Sequence, residues 1–199
     1  SDVYKRQQLM SLLQSKITIN MTIEQFVAQS IGEWRSMRSG HSLAFQQFED
    51  VLSEINITSI KETEPEIKNF LISCERSSDL TKIISPFRME WNAESDWEPD
   101  DPSEVSSGSC LILPIPKGEY SGELLRSVGY AESKFAASDY QFSNDETFIL
   151  TTNYEQSIAE ERIWFISENV RCRSSVLKTS AGSGILQTSF ASEVRIIKK

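Results

Sequence analysis

Ile158-Ala-Glu-Glu-Arg-Ile-Trp-Phe-Ile166 and, four residues on, Val170-Arg-Cys-Arg-Ser-Ser-Val-Leu-Lys178 read as two strands in succession. On a strand, residues two apart share a face, so Asn169, Arg171, Arg173 and Ser175 line up together. Two Arg on one strand face are costly to bury without anionic partners. If the face is interior, an anionic ligand accounts for them, because Arg binds carboxylates in a bidentate way. If it is solvated, cross-strand pairs with Glu160 or Glu161 account for them instead.

The same period of two extends outward along the chain. Phe87, Met89 and Trp91 alternate with Arg88, Glu90 and Asn92, and Glu54-Ile-Asn-Ile-Thr58 alternates as a half-buried strand should. Further strand candidates are Leu43–Phe48, Glu123–Ala131, Tyr140–Phe142, Phe148–Thr152 and Ile185–Ile197. Cys110–Ile115 is a short apolar run that Pro114 and Pro116 demote to an edge or irregular strand. Several short strands with turn signals between them predict an all-β chain, as a closed antiparallel barrel or a sandwich. Helix enters in two places. Thr22 and Gln25 make a capping-box pattern that opens a helix carrying Phe26, Ile31 and Trp34, weakened at Gly32 and broken at Gly40. Pro65 precedes a second candidate, Glu66–Arg76. Ser95–Ser109, acidic and rich in Pro, Ser and Gly, reads as a loop.

Composition narrows the function. The 199 residues carry 20 Lys and Arg against 29 Asp and Glu, for a net charge of −9. Such a balance argues against phosphate neutralisation, hence against nucleic acid, and against a polybasic membrane surface. One His and three Cys are too few for a zinc site or a disulfide framework. No stretch reaches the length of a membrane span, and Leu9–Leu13 is too short for a signal-peptide core. A cytoplasmic protein with reduced thiols is expected. The opening Ser-Asp-Val-Tyr-Lys-Arg-Gln resembles a translated sequencing adapter. Residues 1–20 are accordingly expected to be a non-native or disordered extension, with a start at Met21 or Met10, and 21–199 to be a single domain. Without the extension, which holds one acidic and three basic residues, the net charge becomes −11.

No Gly-x-Ser-x-Gly elbow, phosphate-binding Gly loop, Cys-x-x-Cys or calcium loop is present. Cys74, Cys110 and Cys172 each sit in or beside an apolar or strand-like stretch and read as structural. Two other clusters could carry chemistry. Trp34, Arg38 and the only His, His41, surround a helix-to-strand junction; Trp34 reads as a core anchor, and His41 as a turn histidine able to exchange protons. Trp91, Trp97 and Tyr120 form an aromatic group, in which Trp97 either covers a pocket or partner surface or folds back on the domain.

Four segments together resemble the S-type phycobiliprotein lyases, the CpcS/CpeS group. They are Met21-Thr-Ile-Glu-Gln-Phe26 with Gly32-Glu-Trp-Arg-Ser-Met-Arg-Ser-Gly-His-Ser-Leu-Ala-Phe45, then Gly122-Glu-Leu-Leu-Arg-Ser-Val-Gly-Tyr130, then Glu160–Leu177, and Ser189-Phe-Ala-Ser-Glu-Val-Arg195. The resemblance implies a lipocalin-like barrel of about ten antiparallel strands, closed by an N-terminal helix. It implies a lyase that binds an open-chain tetrapyrrole, phycocyanobilin or phycoerythrobilin, and joins it by a thioether to a cysteine of an apo-phycobiliprotein subunit. That subunit would be of phycocyanin, phycoerythrin or allophycocyanin type. No prosthetic group or metal is implied. The compartment would be cyanobacterial cytoplasm or algal plastid stroma, and a homodimer fits the family.

Carried onto this sequence, the resemblance and the strand-face reading give Glu160, Glu161, Arg171, Arg173 and His41 as catalytic residues. Arg38, Trp91, Trp97, Trp164, Asn169 and Ser175 become bilin-binding residues. Propionates want Arg171 and Arg173, protonated pyrrole nitrogens want a carboxylate of the 160–161 pair, and Trp91 would flank the rings. A bilin or lipid carrier without transfer, or a chaperone of phycobilisome subunits, would use the same barrel; a covalent adduct surviving a denaturing gel separates the lyase from both.

Overall fold

The structure, a computed structural model, describes residues 21–95, 107–127, 135–181 and 184–198. Residues 1–20, and with them the expected extension, lie outside the described residues. Ten antiparallel strands close on themselves in the order β1-β10-β9-β8-β7-β6-β5-β4-β3-β2. They are β1 (Gly32–Ser42), β2 (Gln47–Ser59), β3 (Phe87–Ser95), β4 (Ser107–Pro116), β5 (Ser121–Arg126), β6 (Ala136–Phe142), β7 (Phe148–Asn153), β8 (Ser157–Ser167), β9 (Val170–Thr179) and β10 (Ile185–Arg195). Every strand pairs with its neighbour in sequence, β2 and β3 across a long connection, and pairing of β1 with β10, Trp34 opposite Arg195, seals the wall. Closure leaves the barrel without an unpaired strand edge. Of the two architectures that the strand pattern allows, the barrel is the one formed.

Alternation sorts the side chains. Trp34, Ile55, Ile57, Phe87, Cys110, Ile112, Leu124, Tyr140, Phe142, Phe148 and Leu150 point inward into one buried cluster. Helix α1 (Ile23–Ser30) contributes Ile23, Phe26 and Val27 to the same cluster and so stoppers one end of the barrel. Its capping box is formed as expected: the Gln25 N–H donates to the Thr22 hydroxyl, and the Thr22 N–H donates to the Gln25 side chain at 2.8 Å. Phe26 stacks on Phe148, with ring centroids 4.4 Å apart. A second cluster lies on the outer face of β4 and β5, where α2 (Pro65–Ser73) lays Ile67 and Leu71 over Leu111, Leu113, Ile115 and Leu125. A 3₁₀ turn over Ser77–Lys82 follows, fastened by Arg76, which donates to Asp79 and to Glu123 of β5.

Three expectations need correction. The first helix stops at Ser30 and does not run to Gly40. Arg195 donates to the carbonyls of Gln29 and Ile31 and so caps the helix end from the far end of the chain. Gly32, at φ 129°, then turns the chain into β1, a conformation that side chains with a Cβ avoid. Leu43–Phe48 is not one strand: residues 43–46 are the turn joining β1 to β2. Cys110–Ile115 is an interior strand despite its prolines. β4 pairs with β3 only through Ile112, so Pro114 and Pro116 face no donor-hungry neighbour on that side. Most of the expected acidic loop, including Trp97, and the tail of the Glu123–Ala131 strand lie outside the described residues.

Candidate functional site

Half way up the barrel the inward face turns from apolar to charged. Register sets Arg173 opposite Ile163 on one side and Ala191 on the other, and Arg171 opposite Phe165 and Glu193. Arg171, Arg173 and Ser175 therefore share the inward face, and the Ser175 hydroxyl meets that of Ser189 at 2.6 Å. Two carboxylates answer the guanidinium groups. Glu161, on β8, is bonded through Oε1 to Arg173 and through Oε2 to Arg126 of β5, the latter at 3.4 Å. Arg126 also donates to Thr152 at 3.0 Å and to Ser138 at 3.3 Å. Glu193, on β10, is bonded to Arg171 and accepts from Ser36 at 3.3 Å.

Burial works to raise the Glu161 pKa, but the charges of Arg173 and Arg126 outweigh it and hold the carboxyl below the usual range. Burial lowers the Arg171 pKa, with Glu193 working against the change. These five groups carry three positive charges and two negative ones, a surplus of one cation inside an acidic protein. Beneath them Trp34 forms a floor. The Arg171 and Arg195 guanidinium carbons lie 4.6 Å and 4.2 Å from its ring centroid, and its indole N–H donates to the Ser30 carbonyl of α1. Above, toward the end opposite α1, Arg38 shares the inward face and pairs with Glu49 at 3.7 Å. Trp91 is half-buried against the core cluster and lies over Gly108, where any Cβ would strike its ring.

Other expected site residues lie elsewhere. Glu160 neighbours Glu161 on the strand and so points outward, where Arg162 donates to it at 2.8 Å. Trp164 also points outward, against Phe190 at a centroid distance of 6.2 Å. Asn169 is not on β9 with the two Arg. It sits in the turn before it, its carbonyl accepting from the Arg195 N–H. His41 alternates with the inward-facing Gly40 and is exposed beside Phe48. Arg126, Glu193, Ser138 and Thr152 were missed from the sequence. Glu193 had a signal, since it alternates with Ala191 and Ser189 in a strand that had to face Arg171. Arg126, alone after two leucines, had none.

A closed antiparallel barrel, stoppered by a helix and crossed by a buried charged layer, has the build of a lipocalin-like ligand-binding barrel. The chain belongs to the CpeS-like protein family, whose model matches residues 22–196. Chromophore lyase CpcS/CpeS 3 of Trichodesmium erythraeum is 49% identical over 178 residues, 88% of this chain and 99% of that protein. The putative phycoerythrobilin lyase CpeS of Microchaete diplosiphon is 43% identical over 171 residues, 84% of this chain and 73% of that one. Among solved structures, the S-type phycobiliprotein lyase CPES from Guillardia theta superposes with a TM-score of 0.75 at 37% identity, covering 90% of this chain and 96% of that chain.

Proposed function

We propose that this protein is a bilin lyase, with residues 21–199 as its one pigment-binding unit. It takes an open-chain tetrapyrrole into the barrel and delivers it to a cysteine of an apo-phycobiliprotein. The observation that carries the reading is the buried Glu161 held between guanidinium groups, with the buried charged layer carrying one more cation than anion. A bilin offers the complement: two propionates for Arg, and pyrrole N–H groups for a carboxylate. Arg173, half-buried where Arg126 and Arg171 are buried, meets one propionate, with Arg38 near the rim for the second. Glu161 accepts from the pyrrole N–H groups. Arg171 is spent on Glu193 and Trp34 and acts as a support beneath the site. Trp91 flanks the rings.

The reaction is an addition in which nothing leaves. The acceptor sulfur bonds to the ethylidene carbon of ring A, the C=C pair moves into the ring, and the thiol proton is returned to the ring carbon. Because the nucleophile belongs to the partner, no cysteine of this chain takes part. The protein fixes the pigment's conformation and shields the reacting carbon from water. Relatives are named for phycoerythrobilin and for phycocyanobilin, and either pigment fits the groups described. The acceptors are phycocyanin-, phycoerythrin- or allophycocyanin-type subunits, in cyanobacterial cytoplasm or plastid stroma.

Co-expression with a bilin pathway and each apo-subunit tests the proposal. Zinc-induced fluorescence of a subunit band on a denaturing gel is expected with one of them. Bilin absorbance should be lost from a folded Arg171→Ala/Arg173→Ala double variant. Colourless subunits throughout, with no bilin on the purified protein, would overturn it.

A further inference from the structure

We propose that Arg126 is a positioning residue for Glu161, the resident counter-ion that keeps this carboxylate charged while Arg173 is handed to the ligand. The inference rests on the bilin-binding reading above. Its basis is that the two carboxylate oxygens are held separately, Oε1 by Arg173 and Oε2 by Arg126. The two guanidinium groups differ in how deeply the barrel buries them. Arg126 comes from β5, with 9% of its side chain exposed, and is tied to Ser138 of β6 and Thr152 of β7. Those two hydroxyls are themselves joined at 2.7 Å, so the anchor is a closed polar cluster in the wall. Arg173 comes from the opposite side of Glu161, and 22% of its side chain is exposed.

An anionic ligand entering the barrel therefore competes for Arg173 and not for Arg126. When Arg173 turns to a propionate, Glu161 loses one charge partner and keeps the other. A buried carboxylate with no partner takes up a proton, because desolvation penalises its charged form. With Arg126 in place Glu161 stays an anion, and only an anion can accept from every pyrrole N–H presented to it. Among the described residues, the charged groups facing Glu161 are these two arginines, from β5 and β9. The groups that hold Arg126 from the wall, Ser138 and Thr152, are uncharged, and Glu193 of β10 is engaged by Arg171. Arg126 thus lets the site exchange an internal ion pair for a ligand ion pair without moving a proton.

Proton uptake on pigment binding reads this directly. Phycocyanobilin is titrated at pH 7 into the full chain in two buffers of different ionisation heat, for the parent and for Arg126→Gln, Arg126→Lys and Arg173→Gln. The parent, Arg126→Lys and Arg173→Gln should bind without net uptake, whereas Arg126→Gln should take up about one proton per pigment. A second measurement uses no pigment. In Arg173→Gln the ¹³C carboxyl resonance of Glu161 should remain that of a carboxylate at pH 7, held by Arg126 alone. Pigment binding to Arg126→Gln without uptake, or a protonated Glu161 in Arg173→Gln, would overturn the role of Arg126. If the parent chain binds no phycocyanobilin, it is the bilin reading that falls, and the ¹³C measurement still decides what Arg126 does. The same measurement decides it if Arg126→Gln does not fold.

Discussion

Glu160 and Glu161 are adjacent and chemically alike, yet one peptide bond puts them in different solvents. Glu161 is 5% exposed between two guanidinium groups, while Glu160 faces outward with Arg162. Replacing Glu161 with Gln strands two arginines in the wall, and loss of one partner from a buried pair costs about 3–5 kcal/mol. Glu160→Gln removes only a surface pair and should change stability by less than about 1 kcal/mol. Urea unfolding of the two variants should separate them clearly, and equal midpoints would refute the burial argument. The tryptophans divide in the same way: Trp91→Ala should weaken bilin binding, and Trp164→Ala should leave the pigment's absorbance unchanged. The Arg171–Arg173 face was legible in the sequence because a period of two is a local property. Which of two neighbouring glutamates lies inside was not, because it depends on strand phase relative to a barrel that no local window contains. Arg126 was hidden for a related reason. Its partners come from β6, β7 and β8, all later in the chain.

The helix α1 illustrates the same divide at the level of elements. Its start could be read, since Thr22 and Gln25 are three residues apart and need only each other. Its end could not, because the stop comes from Arg195, brought alongside when β10 pairs with β1. The prolines of β4 misled in a similar way, since their tolerance depends on where β3 ends. As a stopper, α1 depends on Phe26, which contacts Phe142, Phe148 and Phe165. Phe26→Ala should cost about 3–5 kcal/mol in thermal or chemical unfolding, as large-to-small core changes do. Thr22→Ala removes one cap contact and should cost about 1 kcal/mol. If Phe26→Ala were as mild as Thr22→Ala, α1 would be an ornament on the barrel and not its closure.

For the whole molecule, acid is the condition that tests the polar framework. Asp79, bonded by Lys82 and Arg76, Glu123, bonded by Arg76, and Glu161 all have pKa values held below the ordinary carboxylate range. Each is harder to protonate in the folded chain than in the unfolded one. Their contributions are therefore complete above the unfolded value, near about pH 4, and are lost as pH falls through the lower folded values. Urea midpoints should hold from pH 7 to about pH 5 and then fall steeply; a midpoint unchanged at pH 3 would contradict this. The barrel's closure also fixes when it can be completed. Trp34 pairs with Arg195, so the first strand must wait for the last to leave the ribosome before its ladder is whole. Until then β1 and β9 each present an open edge, ready to add a strand from another chain. A chain ending at Thr179 should accordingly aggregate where the full chain stays monodisperse. The interval between completing β9 and seating β10 is thus when the chain is open to its own copies.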